Sequence, residues 1–515
     1  MISRDEGKRK KKPKIMKRIF FSTLVLPLLT SSSFISQDDD YTLQNNLIHK
    51  MGSPPNNFTV TQGEMRFAPG SLGDPGGKYG FFYFPPSLQP PLWKHSLNPL
   101  LKMFQHGTNN GSIQNISLPM QPNDALVWFA TLPPENTTEY FSIVNYILFR
   151  WNDSILPYSG YLPAVQLNDP LNQHILNVSK HHHKTIVVST ASQKTWNTLQ
   201  HYFLGLSLNL LPVDSTRARL VGEEGNGNFW KSGGDVFTWH FRVNGVKPGL
   251  GDVQSKELEE YFETPQPYLY FSSSSSKQDF QPIATRADRS RETNSTQDEY
   301  KVRRKELEIL VRQWHVEVWG LTRDQMVETV DHVVPDLEKC LGDPEYTPIF
   351  FQMRSFPGLP GCDYFVRDAL YSIYPSTKTS ERDITKTVEW KDPQRVYTIL
   401  GLNQQLLNEC VFSNLLITGS SGPESPAHTS NLTAYDLQGS AAFLFGERYM
   451  DFYVHTWARK CGFVNSGKST CTEITEEQIS GNDTIFFSER KYMNPKTSVG
   501  PDPHELLPPV LVISQ

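Results

Sequence analysis

Three aromatic-rich segments constrain the fold more than any other feature of this sequence. They are Ala125-Leu-Val-Trp-Phe-Ala-Thr-Leu132, Tyr140-Phe-Ser-Ile-Val-Asn-Tyr-Ile-Leu-Phe149 and Val236-Phe-Thr-Trp-His-Phe-Arg-Val243. Aromatic and β-branched residues favour the pleated, half-buried surface of a sheet. The 515-residue chain also carries 37 Pro and 33 Gly, which predicts many turns. We therefore predict an α+β fold dominated by antiparallel strands, sandwich-like, with a few peripheral helices.

A change of hydrophobic period after residue 184 predicts a strand–helix–strand unit. Thr185-Ile-Val-Val188 has the composition of a short buried strand. Thr190 and Gln193 match a capping box, in which two side chains satisfy free backbone N–H groups at the start of a helix. Apolar residues then recur at helical spacing up to Leu206. The fold is therefore not expected to be purely β.

Two later segments also have helical periodicity. Residues 300–319 are charged and carry an apolar stripe, which predicts an amphipathic helix. A second capping signal at Thr322 precedes apolar residues at helical spacing from Met326 to Leu341, which predicts another helix. The final apolar run, Leu507–Ile513, contains two prolines and predicts an extended tail or an edge strand.

A polar segment divides the chain into two predicted domains. It begins with the serine run Ser272–Ser276 and stays polar and charged to residue 299, a composition typical of linkers and long loops. We expect a β-rich domain at residues 38–271 and an α+β domain containing the cysteines at residues 300–515. Because surface loops tolerate length at a small entropic cost, residues 272–299 are alternatively a long insertion in one domain.

Residues 1–37 have the order of regions found in a secretory signal peptide. A basic stretch at residues 8–18 precedes the apolar segment Ile19–Leu29 and a run of small residues. A helix that crosses a bilayer needs about 20 apolar residues, so we expect a cleaved signal. A membrane association is expected only if this segment stays uncleaved. Met16 begins a complete signal sequence by itself, which leaves the start at Met1 or at Met16 open.

The charge balance argues against nucleic acid as a partner. Residues 1–37 hold nine Lys and Arg against two Asp and Glu. Without them, 40 Lys and Arg stand against 52 Asp and Glu, a net formal charge of −12. Nucleic-acid binding depends on clustered cations that contact phosphates. An acidic chain is more typical of a protein of the secretory pathway, the extracellular medium or the cell surface.

Nine sequons agree with secretion. The pattern N-x-[ST], which is the acceptor for N-linked glycans in the secretory pathway, occurs at Asn57, Asn110, Asn115, Asn136, Asn152, Asn177, Asn294, Asn431 and Asn482. One match has little weight in a polar chain. Nine matches that extend over most of the chain predict a glycoprotein with these asparagines in surface loops.

The cysteine pattern also fits an oxidising compartment. The five cysteines all lie in the C-terminal half. In such a compartment some of them pair, and the odd number leaves at least one unpaired. Cys461 and Cys471 close the shortest loop and are the predicted disulfide. Because no C-x-x-C pair occurs, neither a structural zinc site nor a thioredoxin-type motif is indicated.

A phosphate-loop pattern lies between those two cysteines. Residues 462–469, GFVNSGKS, match G-x-x-x-x-G-K-[ST]. A working loop of this type follows a buried strand and opens an amphipathic helix, but here the following residues are acidic and nearly without apolar character. We therefore interpret the match as a coincidence and expect no nucleotide and no other cofactor.

Two groups of histidines and acids are candidate metal ligands. Adjacent side chains in His181–His183 point in different directions, so their spacing suits a metal poorly. His315 and Glu317 could join Asp331 and His332 only if the fold brought two separate segments together. We interpret both groups as ordinary polar surface and predict no metal site.

A loop rich in acids and aromatics is the candidate ligand site. Glu223 and Glu224 precede Trp230 in the segment EEGNGNFW. Aromatic faces stack on sugars and carboxylates accept hydrogen bonds from sugar hydroxyls, and glycoside hydrolysis uses two carboxyl groups that flank the bond. An ordinary acidic turn is the alternative, since most loop charge is simply solvated.

These features favour one functional class without identifying catalytic residues. No G-x-S-x-G or other nucleophile motif occurs. We expect a secreted or cell-surface glycoprotein that binds a protein partner or a glycan without catalysis. The alternative is a secreted hydrolase that acts on glycans through paired carboxylates. The sequence leaves the ligand and the oligomeric state open.

Overall fold

The computed structural model describes most of the chain after the predicted signal peptide. The described residues are 37–54, 56, 58–68, 77–85, 88, 105–107, 113–151, 160–161, 165–179, 183–221, 234–273, 280–285, 287–321, 325–333, 367–374, 388–420, 428–462 and 470–515. The predicted signal peptide, apart from residue 37, therefore lies outside the described residues.

Helices are a minor part of the described fold. The helices are α1 (Gln37–Gly52), α2 (Gln193–Tyr202), α3 (Asp252–Glu263), α4 (Asp298–Trp319), α5 (Ala434–Leu437), α6 (Ser440–Phe445) and a 3-10 helix (Glu447–Tyr449). The longest, α4, has 22 residues and confirms the helix predicted at residues 300–319.

Strands dominate, as predicted. The strands are β1 (Phe58–Phe67), β2 (Gly77–Tyr83), β3 (Gln105–Gly107), β4 (Ile113–Asn115), β5 (Ser117–Pro119), β6 (Ala125–Thr131), β7 (Thr138–Trp151), β8 (Gly160–Tyr161), β9 (Val165–Gln166), β10 (Leu171–Asn172), β11 (Lys184–Thr190), β12 (Leu208–Pro212), β13 (Val236–Val246), β14 (Gln266–Ser273), β15 (Met326–Thr329), β16 (Asp331–Val333), β17 (Ala369–Tyr374), β18 (Val388–Glu389), β19 (Val396–Leu402), β20 (Phe412–Ser420), β21 (His428–Thr433), β22 (Phe452–Ala458), β23 (Cys471–Glu473), β24 (Thr484–Tyr492) and β25 (Val510–Ser514). The three aromatic-rich segments form β6, β7 and β13, which confirms those predictions.

A large curled sheet forms the first half of the fold. Its strand order is β10-β7-β13-β2-β1-β14-β6-β11-β12, with β5 beside β13 and with β8 and β9 beside β7. Strands β13 and β6 are four places apart, which is about 19 Å in a flat sheet. Their side chains nevertheless meet, because the rings of Trp128 and Phe241 are 5.1 Å apart. The sheet therefore curls around its own apolar core.

Alternation along the strands sends side chains to both faces of this sheet. On β6, Leu126 and Trp128 point into the enclosed core, whereas Ala125 and Val127 point outward beneath α1 and α2. Leu47 of α1 is fully buried there. Because both faces of β6 are covered, its sequence is a continuous apolar run and not a simple alternation.

The predicted strand–helix–strand unit is present. β11 and β12 pair in parallel and α2 connects them. The predicted N-cap was wrong: Ser192, not Thr190, caps α2, and its hydroxyl accepts a hydrogen bond from the Thr195 backbone N–H. The Thr190 hydroxyl instead donates to the carbonyl oxygen of Asp124 at 2.7 Å and holds β11 against the start of β6.

Two packed sheets form the second half of the fold. One has the strand order β15-β25-β19-β22-β23, and the other has the order β16-β17-β24-β20-β21 with β18 beside β24. Their facing surfaces share an apolar core in which Phe487 of β24 contacts Tyr397 of β19 at a ring distance of 5.3 Å. This β-sandwich agrees with the predicted sandwich-like character.

Two predictions near this sandwich were wrong. Residues 326–333, expected at the start of a helix, form strands β15 and β16, and β15 pairs with β25. The C-terminal run was expected at an edge or in a tail, but β25 lies between β15 and β19 inside its sheet. Both structures depend on pairing between segments that are far apart in sequence. The local periodicity of a sequence gives no information about such pairing.

The segment between β14 and α4 forms hydrogen bonds with both halves of the fold. The Ile283 N–H donates to the Ala191 carbonyl in the first half at 2.8 Å. The Arg291 guanidinium donates to the carbonyls of Ala369 and Pro501 in the second half at 3.1–3.2 Å. The described part of this segment, residues 280–285 and 287–297, is called the strap below.

Candidate functional site

The predicted ligand loop, with Glu223, Glu224 and Trp230, lies outside the described residues, as do His181 and His182. The sugar site and the alternative glycan-hydrolase chemistry at this loop therefore stay predictions.

His315 and His332, from the second group of candidate metal ligands, have separate hydrogen-bond partners. His315 is buried, and its ring nitrogens lie 2.6 Å from the Ser514 hydroxyl and 2.8 Å from the Thr398 hydroxyl. Burial lowers its pKa from 6.5 to about 4, so the ring is neutral at pH 7. His332 instead contacts the Ser372 hydroxyl at 2.8 Å. Within the described part of the chain, no group of three His, Cys, Asp or Glu side chains could hold a metal ion.

The predicted disulfide is present. Cys461 and Cys471 are bonded and close the loop that contains the phosphate-loop pattern, whose residues 463–469 lie outside the described residues. Directly after this loop, Cys471–Glu473 form strand β23, which pairs with β22. A phosphate loop needs a helix at this position, because the helix N-terminus binds the phosphate. The local structure therefore agrees with the interpretation of the pattern as a coincidence.

Four of the predicted glycosylation sites have exposed asparagines. These are Asn136, Asn177, Asn294 and Asn482. Asn431 is half-buried in β21, where its side-chain oxygen accepts a hydrogen bond from Asn414. Asn57, Asn110 and Asn152 lie outside the described residues, as does the side chain of Asn115.

The titratable groups with perturbed pKa values at the junction of the two halves are structural. Asp368 accepts a hydrogen bond from the Tyr140 hydroxyl, and burial raises the pKa of its carboxyl well above the usual value. Burial is the main reason that the pKa of His240 is lowered, and the positive charge of Arg242 lowers it further. All four side chains are buried between the sheets, so a substrate has no access to them in this conformation.

A line of exposed aliphatic side chains on α4 is the feature that most resembles a binding site. Val302, Ile309 and Val316 are 68%, 48% and 42% exposed. They recur every seven residues, which corresponds to two helical turns, so they form one stripe along the helix. Each is β-branched and therefore rigid, so little side-chain entropy is lost when it is covered.

The opposite side of α4 explains why this stripe faces outward. Leu307 and Val311 are fully buried against the sheet that contains β19 and β25. His315 continues that row and bonds to Thr398 of β19 and Ser514 of β25. Because these contacts fix the rotation of the helix about its axis, the stripe is a stable feature of the surface.

Neighbouring elements lie beside α4. Arg448 of the 3-10 helix forms an ion pair with Glu306 of α4, and the Trp314 ring lies 6.3 Å from the ring of Phe445 in α6. These contacts place the 3-10 helix and α6 next to α4 without covering its exposed stripe. We call Val302, Ile309 and Val316 the helical face.

Sequence analysis missed this surface although a signal was present. The apolar stripe identified from the sequence, at Leu307, Leu310 and Val311, lies on the inward side of α4. The outer stripe has the same helical period, and only packing shows which of the two is covered. A seven-residue spacing of β-branched residues in a charged helix is the signal that indicates it.

Comparison with known proteins identifies no relative. No protein-family model matches the chain, and no significant match was found among curated proteins or solved structures. Among the described helices, none combines the length and apolar character needed to cross a bilayer.

Proposed function

We propose that this chain is a secreted or cell-surface glycoprotein that acts as a non-catalytic binding protein, and that the helical face contacts a protein partner. The observation that carries the proposal is the stripe of Val302, Ile309 and Val316 on α4. Apolar side chains that recur along one side of a helix typically pack against another surface. Covering them contributes about 1 kcal/mol for each half-exposed side chain.

The compartment is supported by features outside the helical face. The Cys461–Cys471 disulfide is typical of proteins folded in an oxidising compartment. Asn136 and Asn294 are exposed at backbone angles φ of 61° and 56°, conformations found in turns that a glycosylating enzyme can reach. The signal-like N-terminus points to the same compartment.

The first test is expression of the full chain in a eukaryotic secretory host. We expect a cleaved N-terminus and glycans at Asn136, Asn177, Asn294 and Asn482, measured by mass spectrometry before and after enzymatic removal of the glycans. Retention in the cytosol without glycans would rule out the proposed compartment. Measurable hydrolysis of glycans by the purified product would favour the enzyme alternative.

The second test addresses the helical face. A photo-crosslinking amino acid replaces Ile309 in the secreted protein, and the matched control replaces Val253, an isolated aliphatic residue of α3 that is 71% exposed. We expect a protein adduct at position 309 and none at 253, and we expect Val302→Asp to suppress the adduct. Equal adducts at both positions, or none at either, would contradict a binding role for this surface.

A further inference from the structure

The charges on α4 are sorted to either side of its exposed stripe. Successive helical residues are about 100° apart. Viewed from Ile309, three bases lie about 40–80° to one side and three acids lie about 60–80° to the other. The bases are Lys301, Lys305 and Arg312, and the acids are Glu299, Glu306 and Glu317. Glu306 is half-exposed and the other five are exposed. The exposed Asp298 is the one exception to this sorting, since it lies about 20° to the basic side, where it pairs with Lys301. The helical face therefore has a basic border and an acidic border.

We propose that the partner of the helical face is a second copy of this chain, related by a two-fold axis parallel to α4. This inference rests on the proposed function, since it names the partner of the same surface. Two-fold dimers are the commonest protein assemblies, and each partner then uses the same surface. The charge pattern decides between the two possible directions of the paired helices.

Only the parallel arrangement pairs opposite charges. If the two α4 helices ran antiparallel, the two-fold axis would place basic border against basic border and acidic against acidic. In the parallel arrangement, each basic border faces the acidic border of the other copy. Like charges held together across an interface oppose association, whereas complementary charges favour it.

The stripe itself fits a parallel pair. Val302, Ile309 and Val316 would meet their own counterparts along the axis, over about 21 Å of helix. β-Branched residues at every seventh position fit one of the two core positions of a parallel two-stranded helix pair. The positions three residues later are the basic Lys305 and Arg312, so the apolar contact would be a single row. A seven-residue repeat drifts by about 20° per repeat around a straight helix, which suits two helices that cross at a shallow angle.

The arrangement specifies contacts that no single chain can make. Arg312 would lie opposite Glu317 of the partner subunit, about five residues along the axis. Lys305 and Glu306 are less informative, because each already has an ion-pair partner within its own chain, Glu308 and Arg448 respectively. Within one helix, residues five apart point about 140° away from each other. An interaction between positions 312 and 317 therefore requires two copies.

Sedimentation velocity of the secreted, glycosylated protein between about 0.1 and 100 μM tests the proposal. We expect the wild type to be a dimer. Ile309→Asp places a charge at the centre of the pair and is expected to raise the dissociation constant at least about tenfold. Val253→Asp, which adds the same charge to an exposed aliphatic site on α3, is expected to leave it unchanged.

Charge exchange provides the sharper test. Arg312→Glu and Glu317→Arg are each expected to raise the dissociation constant about tenfold, because every pair occurs twice in a two-fold dimer. The double variant restores opposite charges across the axis and is expected to return within about twofold of wild type. Unchanged circular dichroism and melting temperature exclude unfolding, since Arg312 also contacts Gln325 at 3.1 Å.

The outcomes separate this inference from the proposed function. A wild type that stays monomeric at about 100 μM, or a double variant no better than the single ones, overturns the inference. If position 309 then crosslinks to a different protein, the proposed binding function stands and only the identity of the partner is wrong. A monomer without any crosslink at position 309 contradicts both.

Discussion

Arg150 and Asp235 form a two-point ion pair inside the large sheet. The Arg150 Nε–H donates to one carboxylate oxygen at 2.9 Å, and a terminal N–H donates to the other at 2.7 Å. Their side chains are only 5% and 0% exposed. Arg150 also donates to the Arg217 carbonyl, and Asp235 accepts from the Arg219 N–H. The pair therefore joins the end of β7 to the start of β13 and to the segment between β12 and β13.

Removing one member of this pair is expected to be strongly destabilising. Asp235→Ala leaves the Arg150 guanidinium buried without its carboxylate, which typically costs about 3–5 kcal/mol in the free energy of unfolding. Urea denaturation followed by tryptophan fluorescence measures the change. As a control, Glu260→Ala breaks a surface pair with Lys256, and we expect a loss below about 1 kcal/mol. If the two variants were equally stable, the buried pair would contribute no more to the free energy of unfolding than the surface pair does.

The parts of the fold that were predictable are those in which local composition and tertiary structure agree. Strands β6, β7 and β13 are covered on both faces, so they needed aromatic and β-branched residues along their whole length. β15 has only four residues, and its pairing with β25 depends on a segment about 180 positions away. A helical period over residues 326–341 could not reveal that contact, so the helix prediction failed.

The candidate site was less predictable than the fold. Both stripes of α4 are apolar and both have a helical period, and the sequence does not say which one packs. The buried position of His315 between Thr398 and Ser514 fixes the choice. Because those two hydroxyls lie on strands far from α4 in sequence, the orientation of the helical face follows only from the assembled sheet.

His315 is expected to make the protein sensitive to acid. Its pKa is about 4 in the folded chain because burial disfavours the imidazolium, whereas an unfolded histidine has a pKa near 6.5. Between these values the unfolded state binds a proton that the folded state does not. This group therefore lowers the free energy of unfolding as the pH falls from about 6.5 to about 4, by about 3 kcal/mol in total.

The variant His315→Gln isolates this contribution, because glutamine can still bond to the two hydroxyls and does not titrate. Urea denaturation is carried out at pH 7, 5.5 and 4.5. We expect the free energy of unfolding of the wild type, relative to that of the variant, to decrease steadily as the pH is lowered. A constant difference between wild type and His315→Gln over this range would refute the assignment.

The Cys461–Cys471 disulfide is expected to stabilise the edge of the five-stranded sheet. Strand β23 begins at Cys471, and its first residue pairs with Thr456 of β22. Replacing both cysteines with serine frees a short closed loop in the unfolded chain, which costs about 2–3 kcal/mol of stability on the chain-entropy estimate. Hydrogen exchange should accelerate first in residues 471–473. An unchanged denaturation midpoint, with unchanged exchange there, would show that the bond is dispensable.

Asp169 is expected to connect the two halves of the molecule through the strap. Its carboxylate accepts hydrogen bonds from the backbone N–H and the Nε–H of Arg289 at 2.7 and 3.0 Å, and from the Nε–H of Arg367 at 2.7 Å. Arg289 lies in the strap, and Arg367 directly precedes the β17 region. Burial opposes ionisation of Asp169, but the bonds and charges of the two arginines outweigh it and lower the pKa of the carboxyl.

Asp169→Asn should therefore lower the free energy of unfolding at pH 7 by about 2 kcal/mol, because Arg289 loses its carboxylate and Arg367 keeps only the more distant one of Asp288, at 3.7 Å. The folded carboxyl has a pKa below the ordinary value of 3.8. Its contribution is therefore complete above that pH and is lost as the pH falls through the lower, folded value, so wild type and variant should converge in acid.

Urea denaturation at pH 7 and near pH 3 measures both effects. Asp298→Asn, which removes an exposed partner of Lys301, is the control and should change neither value measurably. A variant as stable as wild type at pH 7 would mean that the strap is held by its backbone contacts to Ala191 and the arginine bonds to Ala369, without help from Asp169.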